Sequence, residues 1–433
     1  MIIKEYGCAC GREHKSPVKK IISGSGAIEK LPEQIKEYNF KKAFILSDEN
    51  TYKVAGEKVL RLLEKNDIGF TSCTIKGETV EPDEKSVGSA IMHYDSDCDV
   101  IIGVGSGVIN DIGKIVANVT KSEYIIVATA PSMDGYASST SSMSMDGLKV
   151  SLSSKCADII IGDTDILKNA PLQMLKSGLG DMLAKYISIC EWKIAALITG
   201  EYYCDEIASL VKDALKKCTD NAEGLLSRDE TAVSAVFDGL IACGTAMAYA
   251  GVSRPASGVE HYFSHVWDMR GAEFGTNVNL HGIQCAFSTY IALGIYEQIK
   301  KIVPDREKAL KYAESFDLGL WNDDLRAFLG RSAEAMIAQE IKEGKYNKAK
   351  HKKRIDIIIN NWDEILKIID EELPDIEYIT ELFKETDLPT DYVAAGVDKN
   401  ILKMTFKATK DIRDKYVLSR LCWDLGIIEE IEI

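Results

Sequence analysis

Residues 99–114 read DVIIGVGSGVINDIGK, and this stretch decides the fold. Residues 99–104 form a continuous apolar run after the first aspartate, as expected of a strand covered on both faces in a parallel sheet. Residues 112–119 change to a helical pattern. Between them, Gly103, Gly105 and Gly107 make a strand-to-helix turn. Glycines there let backbone approach a diphosphate, and the helix start offers unpaired N–H groups and a favourable dipole. The spacing GxGxG departs from the usual GxGxxG fingerprint, so the expected nucleotide site is not a standard Rossmann turn; a tight turn without a ligand is the alternative.

Working outward, strands are expected at 18–22, 42–46, 70–75, 124–128 and 159–162, and helices at 57–65 and 84–94. This alternation predicts an α/β domain over residues 1–165, Rossmann-like, with a mostly parallel sheet. Residues 145–153 alternate around Asp146-Gly147, a hairpin signal. Beyond residue 165 the apolar spacing is helical at 182–196, 203–217, 232–250 and 283–300, with breaks expected at Pro304, Pro374 and Pro389. Residues 166–433 are therefore expected to be an all-helical domain.

Composition narrows the class of function. The chain has 433 residues, too many for one ordinary core, and 46% of them are hydrophobic. With 52 basic against 67 acidic residues the net charge is −15, which argues against nucleic acid as a partner. The basic run 345–354 is expected to be a solvated helix face or loop. No apolar run is expected to span a bilayer, and residues 1–15 lack a secretory signal pattern, so a cytoplasmic protein is expected. Eleven cysteines without regular spacing suit small buried hydrophobes in a reducing compartment.

Three of the six histidines fall within residues 261–281. His261 and His265 in SGVEHYFSHVWD are four apart and share a helix face. His281 opens another apolar helical run in NLHGIQCAF, and Asp181 lies near an expected helix start in GLGDMLAK. Two imidazoles and a carboxylate with an open position are how a catalytic divalent metal is held. The alternative is a packed helix with satisfied core histidines, since Tyr262, Phe263, Val266 and Trp267 surround the pair.

Other polar positions fall at strand ends. Asp48 suits either a ribose hydroxyl or a helix N-cap. Residues 129–140, TAPSMDGYASST, follow the strand 124–128, at the edge where parallel sheets bind ligands. A plain Ser/Thr loop with Asp134 as a turn residue is the alternative. Cys8, Cys10 and His14 in CACGREH suit a second metal or a redox pair. With three candidate ligands and no second cysteine pair, an ordinary N-terminal loop is the expectation.

VGSGVINDIGK, TAPSMDGYASS, SGLGDMLAK, SRPASGVEH and LHGIQ together resemble the sn-glycerol-1-phosphate dehydrogenases, in particular their bacterial branch. That family sits in the larger group of iron-type alcohol dehydrogenases, glycerol dehydrogenase and dehydroquinate synthase. The resemblance implies a dehydroquinate synthase-like fold and a cytoplasmic homodimer or higher homo-oligomer serving phospholipid biosynthesis. The implied reaction interconverts dihydroxyacetone phosphate and sn-glycerol 1-phosphate with NAD(H) or NADP(H). The implied cofactor contacts are Gly105, Ser106, Gly107, Val108, Ile109, Asn110, Asp111, Thr129, Ala130, Pro131, Ser132 and Ser138. Asp134 and His265 match substrate positions, and Asp181, His261 and His281 match metal ligands, Asp181 also lying near the substrate. Zinc or nickel is implied, with iron also compatible with such donors. His265 is the candidate proton relay, and Arg254 in VSRPAS the candidate for the phosphate. Rival readings are a glycerol dehydrogenase, a dehydroquinate-synthase-like lyase and a non-catalytic nucleotide sensor.

Overall fold

A computed structural model describes residues 6–146 and 148–433. The chain divides into two compact units, residues 1–182 with 209–252, and residues 183–208 with 253–433.

The first unit is built on a six-stranded parallel sheet. Its strands are β3 (Lys20–Gly24), β4 (Lys42–Asp48), β5 (Gly69–Ile75), β6 (Val100–Gly105), β7 (Glu123–Ala128) and β10 (Ile159–Asp163). Their order is β3-β10-β7-β6-β4-β5. Every residue of β6 is buried. Each β-branched side chain removed from water there contributes roughly 1.5–3 kcal/mol, which is why an unbroken apolar run is stable only in the middle of the sheet. The register aligns Gly105 with Ala128, and Ala128 with Gly162. Three strands therefore end level, at the carboxyl edge. The edge strand β3 begins two residues later than expected, at Lys20, because the amides of Lys19 and Lys20 both turn to the Asp158 carbonyl.

Helix α1 (Gly107–Thr120) follows β6 directly. The hairpin β8 (Thr140–Met145) and β9 (Leu148–Ser153) pairs antiparallel with Met145 opposite Leu148. It starts earlier than its sequence signal. Asp146 lies in the left-handed region at φ 52°, and Gly147, the other half of the expected turn, lies outside the described residues.

Residues 209–252 fold with the sheet, which moves the expected boundary at 165. Helix α2 (Leu172–Leu183) ends at the division between the units, and α4 (Glu230–Ala250) belongs to the first. Tyr136 meets Phe237 of α4 edge-on at 5.8 Å, and Thr164 meets Ser234 through their hydroxyls at 3.3 Å. An apolar helix has the same periodicity wherever it docks, so the sequence gives it no address. This helix also corrects the membrane expectation. By length and composition α4 is apolar enough to cross a bilayer, yet 67% of its apolar window is buried inside the protein, as in a core helix.

The second unit is all-helical among the described residues. It includes α3 (Lys185–Thr199), α5 (Val259–Phe274) and α6 (His281–Ile299). Helices resume at Arg306, Ile376 and Tyr392, just past the three breaking prolines. The basic run is less solvated than expected. Arg354 forks onto the fully buried Asp424 at 2.7 and 2.8 Å, and His351 is buried.

Candidate functional site

In the first unit two loops leave the carboxyl edge side by side. Thr129 donates its N–H to the Gly105 carbonyl at 3.1 Å, so residues 129–132 run beside the glycine turn. Ser106 occupies the N-cap of α1 without capping it through its side chain. The first helical bond there is Asn110 N–H to the Ser106 carbonyl at 2.9 Å. The amides of Gly107, Val108 and Ile109 precede it, at the end of a helix where a phosphate is favoured. The turn thus has the form a diphosphate needs without the GxGxxG spacing.

Behind the turn sits Lys114, which sequence reasoning gave no role. It is fully buried. Its ammonium donates to the carbonyls of Thr140 at 2.5 Å and Gly135 at 3.2 Å, and pairs with Asp111 at 3.0 Å. Asn110 also donates to the Gly135 carbonyl, at 3.0 Å. Ser138 lies in the same knot, its hydroxyl bonding the Thr140 carbonyl at 3.0 Å. One cation thus ties α1 to the loop 134–140. A lysine in a helical motif ordinarily reads as surface, so its presence at the end of VINDIGK was a weak signal. Lys114→Met is expected to strand these acceptors and lower stability by about 3 kcal/mol. A urea-unfolding midpoint within error of the parent would refute that.

Asp134 and Asp181 meet in this unit. The Asp134 N–H donates to Asp181 Oδ2 at 2.9 Å, and Asp181 is fully buried. Asp181 lies in the last turn of α2, not near a helix start as expected. Gly178, one turn before it, serves close contact. A Cβ on Gly178 would lie 1.8 Å from the Pro131 carbonyl oxygen, so the loop 129–132 rests directly on the helix backbone. Ser177 adds a hydroxyl bond to the Ser132 carbonyl at 3.0 Å. Asp48 is seated as an N-cap. Its Oδ1 accepts from Asn50 N–H at 2.8 Å and Thr51 N–H at 2.7 Å, at the carboxyl end of β4.

In the second unit the histidines converge. His261 is buried on the first turns of α5, and His281 opens α6. Their ring centroids are 5.0 Å apart. Each Nδ1 has an orienting partner, the Glu260 carboxylate at 2.8 Å for His261 and the Ser264 hydroxyl at 2.9 Å for His281. Such bonds fix the tautomer and turn Nε2 outward as a metal ligand. Glu260 is itself held by Gly258 N–H at 2.6 Å. Nearby, buried Glu191 accepts Val259 N–H at 2.9 Å and Leu418 N–H at 2.8 Å, fastening the start of α5. Burial, and then the Glu260 carboxylate beside it, raise the Glu191 pKa above the usual range.

Two members of this cluster escaped sequence reasoning. Glu260 directly precedes a ligand candidate. Cys285 lies one helical turn beyond His281, with its sulfur 3.6 Å from His281 Nε2. The ligand atoms of His261, His281 and Cys285 all fall within 4.8 Å of one another. Burial pushes the Cys285 thiol up, but the two imidazoles outweigh it and bring its pKa below the ordinary value. The signal was the i, i+4 spacing in HGIQC, hidden among many buried cysteines. This donor set, imidazole nitrogen with soft or carboxylate partners, fits a borderline first-row divalent ion.

His265 is half-buried and stands 6.4 Å from His281 by ring centroids. Burial, then the charges of Arg413, His281, His261 and Lys415, hold its pKa well below the usual value. Arg254 is placed otherwise than expected. It is buried, its guanidinium 2.7 Å from Glu201 and donating to the Tyr416 carbonyl at 2.9 Å, so its fork is engaged within the protein.

The family model described as iron-containing alcohol dehydrogenase matches residues 22–171. The chain is 33% identical over 301 residues to a glycerol-1-phosphate dehydrogenase (NAD(P)+) of Halalkalibacterium halodurans, covering 68% of this chain and 75% of that one. It is 33% identical over 296 residues to the protein of the same name from Bacillus licheniformis, covering 67% and 74%. A glycerol dehydrogenase structure from Schizosaccharomyces pombe superposes with a TM-score of 0.60 at 18% identity, over 95% of this chain and 89% of that one. The structural likeness establishes the dehydroquinate synthase-like fold.

Proposed function

Because the chain belongs to the glycerol-1-phosphate dehydrogenase family, we propose that it interconverts dihydroxyacetone phosphate and sn-glycerol 1-phosphate by hydride transfer with NAD(H) or NADP(H). The observation that carries the reading is the level ending of β6 and β7, which sets the glycine turn and the 129–132 loop side by side. Residues Gly105 to Asp111, Thr129 to Ser132, and Ser138 hold the cofactor in this reading, and Asp48 takes a ribose hydroxyl. Asp181, His261 and His281 hold one divalent ion, a set carried by the family motifs. Bound, the ion supplies positive charge where the ketone oxygen becomes negative, and the nicotinamide supplies the hydride.

The chain's own groups do the rest. Asp134 accepts from the substrate's terminal hydroxyl, its backbone fixed by Asp181. His265, kept neutral at physiological pH, holds or relays the proton of the alcohol oxygen. With Arg254 engaged elsewhere, the phosphate falls to Arg413, whose positive charge reaches His265. Lys415 is engaged within the protein like Arg254, donating to the carbonyls of Ser253 and Ser257 at 3.2 and 2.7 Å.

The test is NADH and NADPH oxidation with dihydroxyacetone phosphate, against dihydroxyacetone and against the reverse reaction on glycerol. Turnover should favour the phosphorylated ketone, and Arg413→Ala should raise its KM by about tenfold while sparing the unphosphorylated ketone. Preference for glycerol would establish the glycerol dehydrogenase reading instead. Tight cofactor binding without turnover on any of them would make the chain a nucleotide sensor.

A further inference from the structure

The N-terminal segment expected to be an ordinary loop is ordered around its sulfurs. Strands β1 (Tyr6–Gly7) and β2 (Glu13–His14) pair antiparallel. The turn between them is closed by Cys8 N–H to the Arg12 carbonyl at 3.1 Å and Gly11 N–H to the Cys8 carbonyl at 3.0 Å. Gly11, directly after Cys10, takes φ 81°, a conformation that side chains disfavour and that folds the turn back on itself. The Cys10 N–H points at Cys8 Sγ, 3.5 Å away, and Cys10 Sγ lies 3.6 Å from His14 Nε2. The ligand atoms of Cys8, Cys10 and His14 all lie within 4.8 Å of one another.

This turn is also fastened to its own unit. His14 is fully buried and its ring stands 5.5 Å from that of Tyr249. Arg12 donates to the Ala250 carbonyl at 3.4 Å, at the end of α4. Nine cysteines of the chain are buried; Cys8 and Cys10 are the two that are not.

We propose that Cys8, Cys10 and His14 bind a second divalent ion, with zinc the preferred occupant, and that this ion pins the hairpin to α4. Two thiolates and one imidazole are the donors zinc takes in structural sites. An amide directed at a sulfur stabilises the thiolate that binding requires, and binding releases the two thiol protons. Strands of two residues have no core of their own, so a bound ion is the source of order that the local physics lacks. Water or one further protein group completes the tetrahedron. Its residues are different from the catalytic ligands proposed above, and its test reads metal, not turnover.

The experiment uses the full chain saturated with zinc or with cobalt(II), measured by elemental analysis and absorption. The parent should carry two ions. His281→Ala should carry one and keep a thiolate-to-cobalt charge-transfer band. Adding Cys8→Ser and Cys10→Ser to His281→Ala should remove that band and the remaining ion. Cys8→Ser with Cys10→Ser alone should melt several degrees lower yet retain kcat. If the double serine variant fails to fold, His14→Asn should weaken zinc binding at this site by about tenfold or more. An unchanged ion count and band in the serine variants, or a Cys8–Cys10 disulfide that forms readily and excludes metal, overturns the proposal.

Discussion

His281→Ala is expected to lose its catalytic ion and about 10³-fold in kcat/KM for dihydroxyacetone phosphate while binding NADH nearly as the parent does. The asymmetry follows from where the residues sit. His281 begins α6 in the second unit, its ring paired with Ser264 and close to His261 and Cys285. The glycine turn proposed to hold the cofactor, and the loops beside it, belong to the first unit. Losing one imidazole leaves His261 oriented by Glu260 and cannot disturb the register of β6 and β7. Elemental analysis and NADH fluorescence titration separate the two effects. A variant that retains both the ion and turnover would remove His281 from the ligand set.

Gly178→Ala is expected to be the most damaging single-methyl change in the first unit. The new Cβ would stand 1.8 Å from the Pro131 carbonyl oxygen and 2.9 Å from a Val236 methyl. The first neighbour is backbone, so relief requires moving either α2 or the 129–132 loop. The loop is tied by Thr129 to Gly105 and by Ser132 to Ser177. Overpacking of this kind costs about 3 kcal/mol where nothing flexible can yield, which lowers the melting temperature by about 5 °C or more. The same displacement should raise KM for the nicotinamide substrate. A variant as stable as the parent would show that the loop yields freely.

The sheet was legible because burial on both faces leaves no polar alternation, and DVIIGV and YIIVA can be little else. The histidine cluster was legible through its four-residue spacing and its company of motifs. What failed to show in the sequence shares one cause, contact across long separations. Gly178 carried no mark in its helical motif, because its reason is a carbonyl forty-seven residues upstream. Lys114 looked like a surface lysine, because its acceptors lie in a loop more than twenty residues on. Arg254 looked available, because Glu201 and Tyr416 carry no mark as its partners. Cys285 and the CACGREH turn were hidden differently. Their spacing was visible, but a buried cysteine and a short loop are so ordinary that only proximity distinguishes them.

The division of the chain bears on synthesis. The path leaves the first unit after residue 182, returns at 209 and leaves again after 252. The sheet strands have all emerged by residue 163, yet α4, which covers Tyr136 and Thr164, has not. On the ribosome the first unit therefore waits, its apolar surface uncovered, until more than half of the protein has been made. No truncation at a single point releases either unit whole. The two units are therefore expressed together or not at all.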